Sequence, residues 1–229
     1  MFYAGPNSPL NHAVGMGLNG PVTDTEFDRV EEFYRSRKAM AEVVVSPLAD
    51  RSLFELLGKR CFRVGELNSV LVRRLNNGDF IRSAPSLDIR RVDRDETAAR
   101  EWSKLIIRGF TPEGAPPEFQ LDPELFVPFA LSASSIYFSA FIDGAAVGGG
   151  ACSVFPQQGL ASFYGASTLT EHRNQGVQTA LLAARLRAAT AAGCTWAIVS
   201  TQPGTVSQKN AERAGFRVAY TKLVFQKEF

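Results

Sequence analysis

The chain has 229 residues, of which 45% are hydrophobic and 21% charged, and its formal net charge is +2. Such a composition supplies core enough for one large or two small domains, and the near-neutral balance gives no nucleic-acid footprint. Cys61, Cys152 and Cys194 stand apart with no C-x-x-C spacing, and His12 and His172 are the only histidines, which argues against a disulfide framework or a bound metal.

Sparse, unpaired cysteines fit a reducing compartment, and the N-terminus lacks a basic region followed by an apolar run, so a cytoplasmic protein without a signal peptide is expected.

In chain order, residues 12–18 read as a short strand interrupted by glycine. Asp24 is placed to cap a helix whose apolar face is Phe27, Val30, Phe33 and Tyr34. Residues 42–46 form a valine-rich strand, 51–60 a short helix, and 62–72 a strand. The turn formers between Asn76 and Pro85 mark a boundary. The chain therefore divides into a lobe of residues 1–78, a linker of 79–86 and a larger domain of 87–229.

That domain opens with a strand at 87–92 and a helix burying Ala98, Trp102, Leu105 and Ile106. A loop at 110–121 carries Pro112, Gly114, Pro116 and Pro117, with Glu113, Glu118 and Asp122 as acids for an ammonium group or as solvated loop charges. Leu125 to Ile142 is eighteen residues without a charge, close to the length of a membrane span. It divides better into a helix over 123–131, started by Asp122-Pro123, and a strand over 135–142 turned back at Asp143-Gly144. No membrane association is expected. Strands 135–142, 145–153 and 161–169 form an antiparallel meander.

The meander leads into His172-Arg173-Asn174-Gln175-Gly176-Val177-Gln178. After this loop Val177, Ala180, Leu181, Ala184, Ala188 and Ala191 recur at helical spacing, one buried stripe, and Gly193 ends the helix. The first turn of a helix offers backbone N–H groups without intrahelical partners. Beside Gly176 and Arg173 they suit a phosphate or pyrophosphate, although an ordinary strand-to-helix turn fits the loop equally well. A strand at 195–200, a turn at Pro203-Gly204, a helix with Thr205 and Gln208 as capping box, a stop at Gly215 and a strand at 216–220 complete the chain.

The order and spacing of these elements, with R-x-x-G-V-Q at 173–178 and G-F at 215–216, resemble the GNAT superfamily of acyl-CoA-dependent N-acyltransferases over about residues 87–229. The resemblance implies an α/β (α+β) fold with a mixed, mostly antiparallel sheet flanked by helices. It implies that acetyl-CoA binds through Thr168, Leu169, Thr170, Arg173, Asn174, Gln175, Gly176, Val177, Gln178, Ser207 and Asn210, that the strand ending at Leu169 splays from its neighbour, and that the pantetheine arm pairs with its backbone. Two positions depart from the family pattern. Gln178 stands where Gly or Ala is usual, and Ala211 stands where many members carry a tyrosine acid. Ser207, four residues earlier, matches the serine of other members and is the candidate acid.

The first lobe echoes the second. Val43-Val44-Val45-Ser46 parallels Ala197-Ile198-Val199-Ser200, Phe62-Arg63-Val64 parallels Phe216-Arg217-Val218, and sixteen positions separate serine from phenylalanine in both. This reads as a repeat with two related lobes, the first incomplete. In its Asn19–Thr25 loop Pro21 removes a donor, and Asp24 and Glu26 oppose a pyrophosphate. Only fourteen residues follow Gly215, so either one long strand ends the sheet or the first lobe lends residues 64–72.

The chemistry the resemblance implies is N-acetyl transfer from acetyl-CoA to a primary amine of a small molecule or peptide, by direct attack in a ternary complex. Tyr164, Glu118 and Glu171 are the candidate bases. A non-catalytic acyl-CoA-binding or protein-interaction module is the alternative. No metal and no nucleic-acid partner are expected, and a homodimer is compatible with the sequence.

Overall fold

The computed structural model describes residues 1–5, 8, 10–76, 87–111 and 121–229. They form two compact units that no single cut in the sequence separates: Met1–Val70 with Thr201–Gln208 and Val218–Phe229, and Leu71–Ser200 with Lys209–Arg217. The expected linker 79–86 and most of the proline-rich loop, residues 112–120, lie outside the described residues.

In the first unit the glycine-interrupted stretch yields only a two-residue strand, β1 (Ala13–Val14), parallel to β2 (Ala41–Val45). Helix α1 (Asp24–Arg35) is capped by Thr23 rather than Asp24. Thr23 Oγ1 accepts from the Glu26 N–H, and the Glu26 carboxylate accepts from the Thr23 N–H. The threonine lies three residues before a glutamate, the spacing at which both ends of the box close, and Asp24 falls one position too late. Asp24 instead pairs with Lys59 and Arg60, at the end of α2 (Arg51–Lys59). Phe27, Val30 and Tyr34 bury against Val43 and Val45, Leu53 and Leu57 of α2, and Phe62. Phe27 and Phe62 meet edge to face at 5.3 Å, a geometry that adds about 1 kcal/mol to the area term. Glu31, almost fully buried, accepts from Arg60 at 2.8 Å and Lys227 at 2.7 Å. A buried carboxylate is tolerable only when paired in this way.

The last strand, β9 (Arg217–Lys227), runs without a break and pairs antiparallel with β2, from Ala41↔Lys227 to Val45↔Leu223. Strand β3 (Arg63–Arg74) follows β9 in the hydrogen-bonding order of this unit; from Leu71 it belongs to the second unit, beside β8 (Trp196–Thr201). One long final strand and a strand lent by the first lobe are thus both present.

In the second unit β4 (Asp88–Arg91), β5 (Ser135–Ile142), β6 (Ala145–Phe155) and β7 (Leu160–Thr168) form an antiparallel meander, and β7 is parallel to β8. Asp143 and Gly144 turn the β5–β6 hairpin with φ of 49° and 82°, the positive pair that a two-residue hairpin requires. Helix α3 (Glu96–Phe110) buries Ala99, Trp102 and Ile106 against Tyr137 and Ala151. Helix α5 (Val177–Ala191) packs with Phe138, Cys152 and Phe163. Since 137 and 138, and 151 and 152, alternate along their strands, α3 and α5 cover opposite faces.

Two expectations need correction. Helix α5 is not amphipathic with one buried stripe: Leu182, Ala183, Arg185 and Leu186 are buried as well, while Ala191 is exposed. Ala211 and Ala214 of the segment around α6 (Val206–Arg213) belong to the same apolar cluster. Residues 123–131 are not one helix. Asp122 caps a 3-10 turn, Pro123–Leu125, followed by the four-residue α4 (Val127–Ala130). Pro128 lacks an N–H and its ring conflicts with the carbonyl four residues back, so the turn cannot continue as α-helix. Among the described residues no helix is long and apolar enough to cross a membrane.

Candidate active site

The site is built where β7 outruns its partner. The β7–β8 register ends at Phe163↔Val199, yet β7 continues to Thr168. The expected splay is therefore visible: on the β8 side, the backbone from Tyr164 onward has lost its ladder. On its other side β7 carries a bulge. Gly149 pairs with Ser167 and Ala151 with Tyr164, leaving Gly165 and Ala166 opposite Gly150 alone. Gly165 takes φ of 56° there, the left-handed geometry of a bulge.

Close packing holds this strand end in place. A Cβ on Gly109 of α3 would sit 2.5 Å from Ser167 Oγ, and one on Gly148 of β6 would sit 2.7 Å from the Ser167 carbonyl. Ser167 Oγ donates to the Ile106 carbonyl at 3.0 Å, and Trp102 Nε1 donates to the Phe138 carbonyl at 3.0 Å. The Gly148-Gly149-Gly150 run carries this signal in the sequence itself: glycines inside a strand mark a bulge or a close backbone approach.

Beyond β7, Thr168 and Leu169 are buried, and Thr170 to Gly176 come to the surface, His172 partly so. A 3-10 turn at Thr170–His172 brings the chain to Asn174 at φ 64° and Gly176 at φ 81°. These left-handed residues turn successive amides outward. The backbone N–H groups of Asn174, Gln175, Gly176 and Val177 find no acceptor among the described residues, and Gly176 caps α5 without a side chain. Four unpaired donors at the N-terminus of a fifteen-residue helix suit an anion.

The named side chains hold the loop more than they line it. Arg173 donates to the Thr168 carbonyl at 3.4 Å and the Gly109 carbonyl at 3.2 Å, which ties the loop to the last turn of α3. Gln178 donates to Thr168 Oγ1 at 2.8 Å, an anchor that Gly or Ala at this position would lack. Gln175 donates to the Glu171 carbonyl at 3.4 Å. A groove beside the loop is lined by Arg108, Thr111, Leu169, Thr170 and Glu171. Glu171 is exposed on it.

Tyr164 is the first β7 residue past the fork. Its hydroxyl lies 2.8 Å from Ser135 Oγ, 3.0 Å from Ser153 Oγ and 3.3 Å from the Tyr137 hydroxyl. Burial, and then the bond with Tyr164, push the Tyr137 phenol well above its ordinary range, so it stays neutral. A cavity of about 290 Å³ borders this cluster, with Arg91, Arg94, Ala130 and Tyr137 among its walls. Glu118 lies outside the described residues.

Helix α6 straddles the two units, with Ser207 counted in the first and Asn210 in the second. Ser207 is exposed, and its hydroxyl makes no hydrogen bond among the described residues. Thr205 does the capping: its Oγ1 accepts from the Gln208 N–H, while the Gln208 side chain reaches the Gly204 N–H at 2.8 Å instead of the Thr205 N–H. Asn210 accepts from Arg213 at 2.9 Å. Ala211 is buried in the core and brings no proton donor. Among the described residues no group of three or more His, Cys, Asp and Glu side chains is placed to hold a metal.

Residues 99–216, just over half of the chain, match the family model described as Acetyltransferase (GNAT) family. No curated protein matches the sequence. Solved structures do. A GCN5-related N-acetyltransferase from Kribbella flavida superposes with a TM-score of 0.66 at 19% identity, over 95% of this chain and 81% of that one. A tandem GNAT protein from the clavulanic acid biosynthesis pathway gives 0.68 at 12% identity, over 89% and 69%. A GCN5-related N-acetyltransferase from Sphaerobacter thermophilus gives 0.65 at 14%, over 89% of this chain and 64% of that one. At these identities the likeness establishes the fold, a mixed and mostly antiparallel sheet flanked by helices. With the family match spanning the meander, the loop and α5, the chain belongs to the GNAT family of acetyltransferases.

Proposed function

We propose that the protein moves the acetyl group of acetyl-CoA to a primary amine of a small molecule or peptide, by direct attack within a ternary complex. The observation that carries this reading is the continuity of two features. A strand whose β8-side backbone is unpaired beyond Phe163, while its other side stays on β6, runs directly into a loop with four unpaired N–H groups. An extended arm with an amide at its centre and a pyrophosphate at its end fits that sequence of donors and acceptors.

In this reading Asn174 to Val177 receive the pyrophosphate, with Thr168, Leu169 and Thr170 alongside, while Arg173 and Gln178 fix the loop. The amine nitrogen bonds to the thioester carbon, and a β7 amide past the fork faces the oxyanion that forms. Holding both reactants at one strand end supplies much of the rate. Tyr164 is the base that the geometry favours, because its hydroxyl network offers the amine's proton a route away; Glu171 is the second candidate. Ser207, with its hydroxyl uncommitted, is the proposed acid for the thiolate, and Asn210 a further contact to coenzyme A.

Gly176→Asp places a carboxylate against the pyrophosphate. Acetyl-CoA at a hundredfold over its Kd should stabilise the parent by about 2.7 kcal/mol, and the variant should lose this thermal shift. An unchanged shift would show that coenzyme A binds elsewhere. Buried Ala211 in place of an acid favours the alternative, a non-catalytic acyl-CoA-binding module. Thiol release from acetyl-CoA with a panel of polyamines, amino acids, aminoglycosides and peptide N-termini separates the two.

A further inference from the structure

Arg185 lies in the middle of α5 with only 4% of its surface exposed, and no carboxylate among the described residues pairs with it. Its Nε donates to the Leu181 carbonyl at 3.2 Å, and its guanidinium carbon stands 5.3 Å from the Phe163 ring centre. Neither terminal nitrogen has an acceptor among the described residues. Only the Leu181 carbonyl and the π face of Phe163 offset its desolvation, so the cation opposes folding. Burial pushes its pKa down to about 10, so it keeps its charge at neutral pH.

The position of this cation is specific. A Cβ on Gly150 would lie 3.2 Å from its guanidinium carbon and 3.6 Å from the Ala166 Cβ. Gly150 and Ala166 are the two sides of the β7 bulge. The guanidinium thus lies under the bulge, on the α5 face, past the last β7–β8 pair. Glycine at 150 makes the room. A local rule broken at a functional locus, here a buried charge with no carboxylate partner among the described residues, is where function is to be sought.

We propose that Arg185 is the positioning residue of the acyl-transfer centre: packed beneath the bulge at Gly150, it backs the strand end and adds positive potential at the oxyanion, without touching the acyl group. This rests on the N-acetyltransferase reading above. When a nucleophile bonds to the thioester carbon, the carbonyl π pair moves onto oxygen. Collapse then returns the pair and expels the thiolate, and the nucleophile's proton leaves to base. A fixed cation in a low-dielectric interior stabilises the charged intermediate more than the neutral thioester. The titratable group coupled to Arg185 is the Cys152 thiol of β6, held neutral because burial pushes it up to about 11. Phe163, Ala166 and Gly150 do not titrate.

The test uses the intact chain, acetyl-CoA, and water or an accepted amine as nucleophile. Arg185→Met should melt no lower than the parent, bind acetyl-CoA with parental affinity in calorimetry, and release thiol about 10²-fold more slowly, the scale of one lost oxyanion contact. Arg185→Lys should retain activity at low pH and lose it as pH rises through the depressed pKa of the buried lysine, in a window where the parent is flat. This profile decides the matter if the methionine variant does not fold. Parental thiol release by Arg185→Met, or a lysine profile identical to the parent's, would overturn the proposal alone. A parent that does not bind acetyl-CoA would overturn the N-acetyltransferase reading and this proposal with it.

Discussion

The ends of α2 and α6 match bond for bond. The Phe62 N–H donates to the Leu57 carbonyl at 3.0 Å, and the Phe216 N–H to the Ala211 carbonyl at 3.1 Å. The Cys61 N–H donates to Gly58, and the Gly215 N–H to Glu212. All of these partners share one offset in the sequence. Cys61 and Gly215 both take the left-handed conformation, at φ of 58° and 84°. The same pattern of hydrogen bonds closes both helices, though only one has the residue that adopts it without strain. Upstream the two regions part. The loop at 172–178 presents unpaired amides, whereas at the start of α1 a capping box takes up the Thr23 and Glu26 N–H groups, and the carboxylates of Asp24 and Glu26 stand beside the rest. Helix-end geometry persists between the two regions; the run of unpaired amides at 174–177 does not. We read the first region as an incomplete copy kept for its structure.

The strands exchange partners between the copies. β9, which follows α6, pairs with β2, and β3, which follows α2, runs beside β8 in its second half. The largest expected effect follows from this. Deleting residues 1–80 removes β2 and β3 from either side of β9 and β3 from β8, leaving β9 without a partner and β8 with an open edge. The fragment should be insoluble or unfolded; a soluble, active 85–229 fragment would end the comparison.

If only one copy keeps the anion site, calorimetry of the intact chain should give one equivalent of acetyl-CoA. Two equivalents would mean that the capping box does not block the first loop. Ser207 corresponds to Leu53 at the shared offset, a residue fully buried in the first core. If the exposed serine serves chemistry, Ser207→Ala should lower turnover by about 10²-fold with little change in acetyl-CoA affinity. Unaltered turnover under chemistry-limited conditions would remove its role as acid.

A smaller effect tests the two helix ends. Gly215→Ala should lose about 1 kcal/mol, since alanine strains at positive φ, while Cys61→Gly should gain up to about 1 kcal/mol. Equal and opposite shifts in denaturant midpoint would support the equivalence; a destabilised Cys61→Gly would contradict it. The smallest effect is acid loosening of α1. Hydrogen bonds from Arg60 and Lys59 hold Asp24 below its ordinary pKa, and the Thr23 amide holds Glu26 below its own. Depressed carboxylate pKa values add stability above the unfolded pKa, and this is lost as pH falls through the folded one. Amide exchange in α1 should therefore quicken below about pH 4, near the reference carboxylate range, before that in α5. Simultaneous loss would refute it.

The local alternation and punctuation of the chain carried much of the fold. Asp143-Gly144, Gly193 and Gly215 end elements because their positions need positive φ, and the meander reads from its apolar runs. The loop of outward amides was legible because Gly176 and an apolar helix follow a strand. What the sequence alone could not decide depends on distant neighbours. Thr23 displaced Asp24 as cap because a capping box needs both partners in reach. Pro128 broke a helix that Asp122-Pro123 had begun. The partners of β3 and β9 are non-local, and pairing across so many residues leaves no periodic trace. The splay at Phe163↔Val199, the bulge beneath Tyr164 and the cation at Arg185 arise where three elements meet. Their chemistry depends on what each neighbour leaves unpaired, and only the tertiary structure sets that.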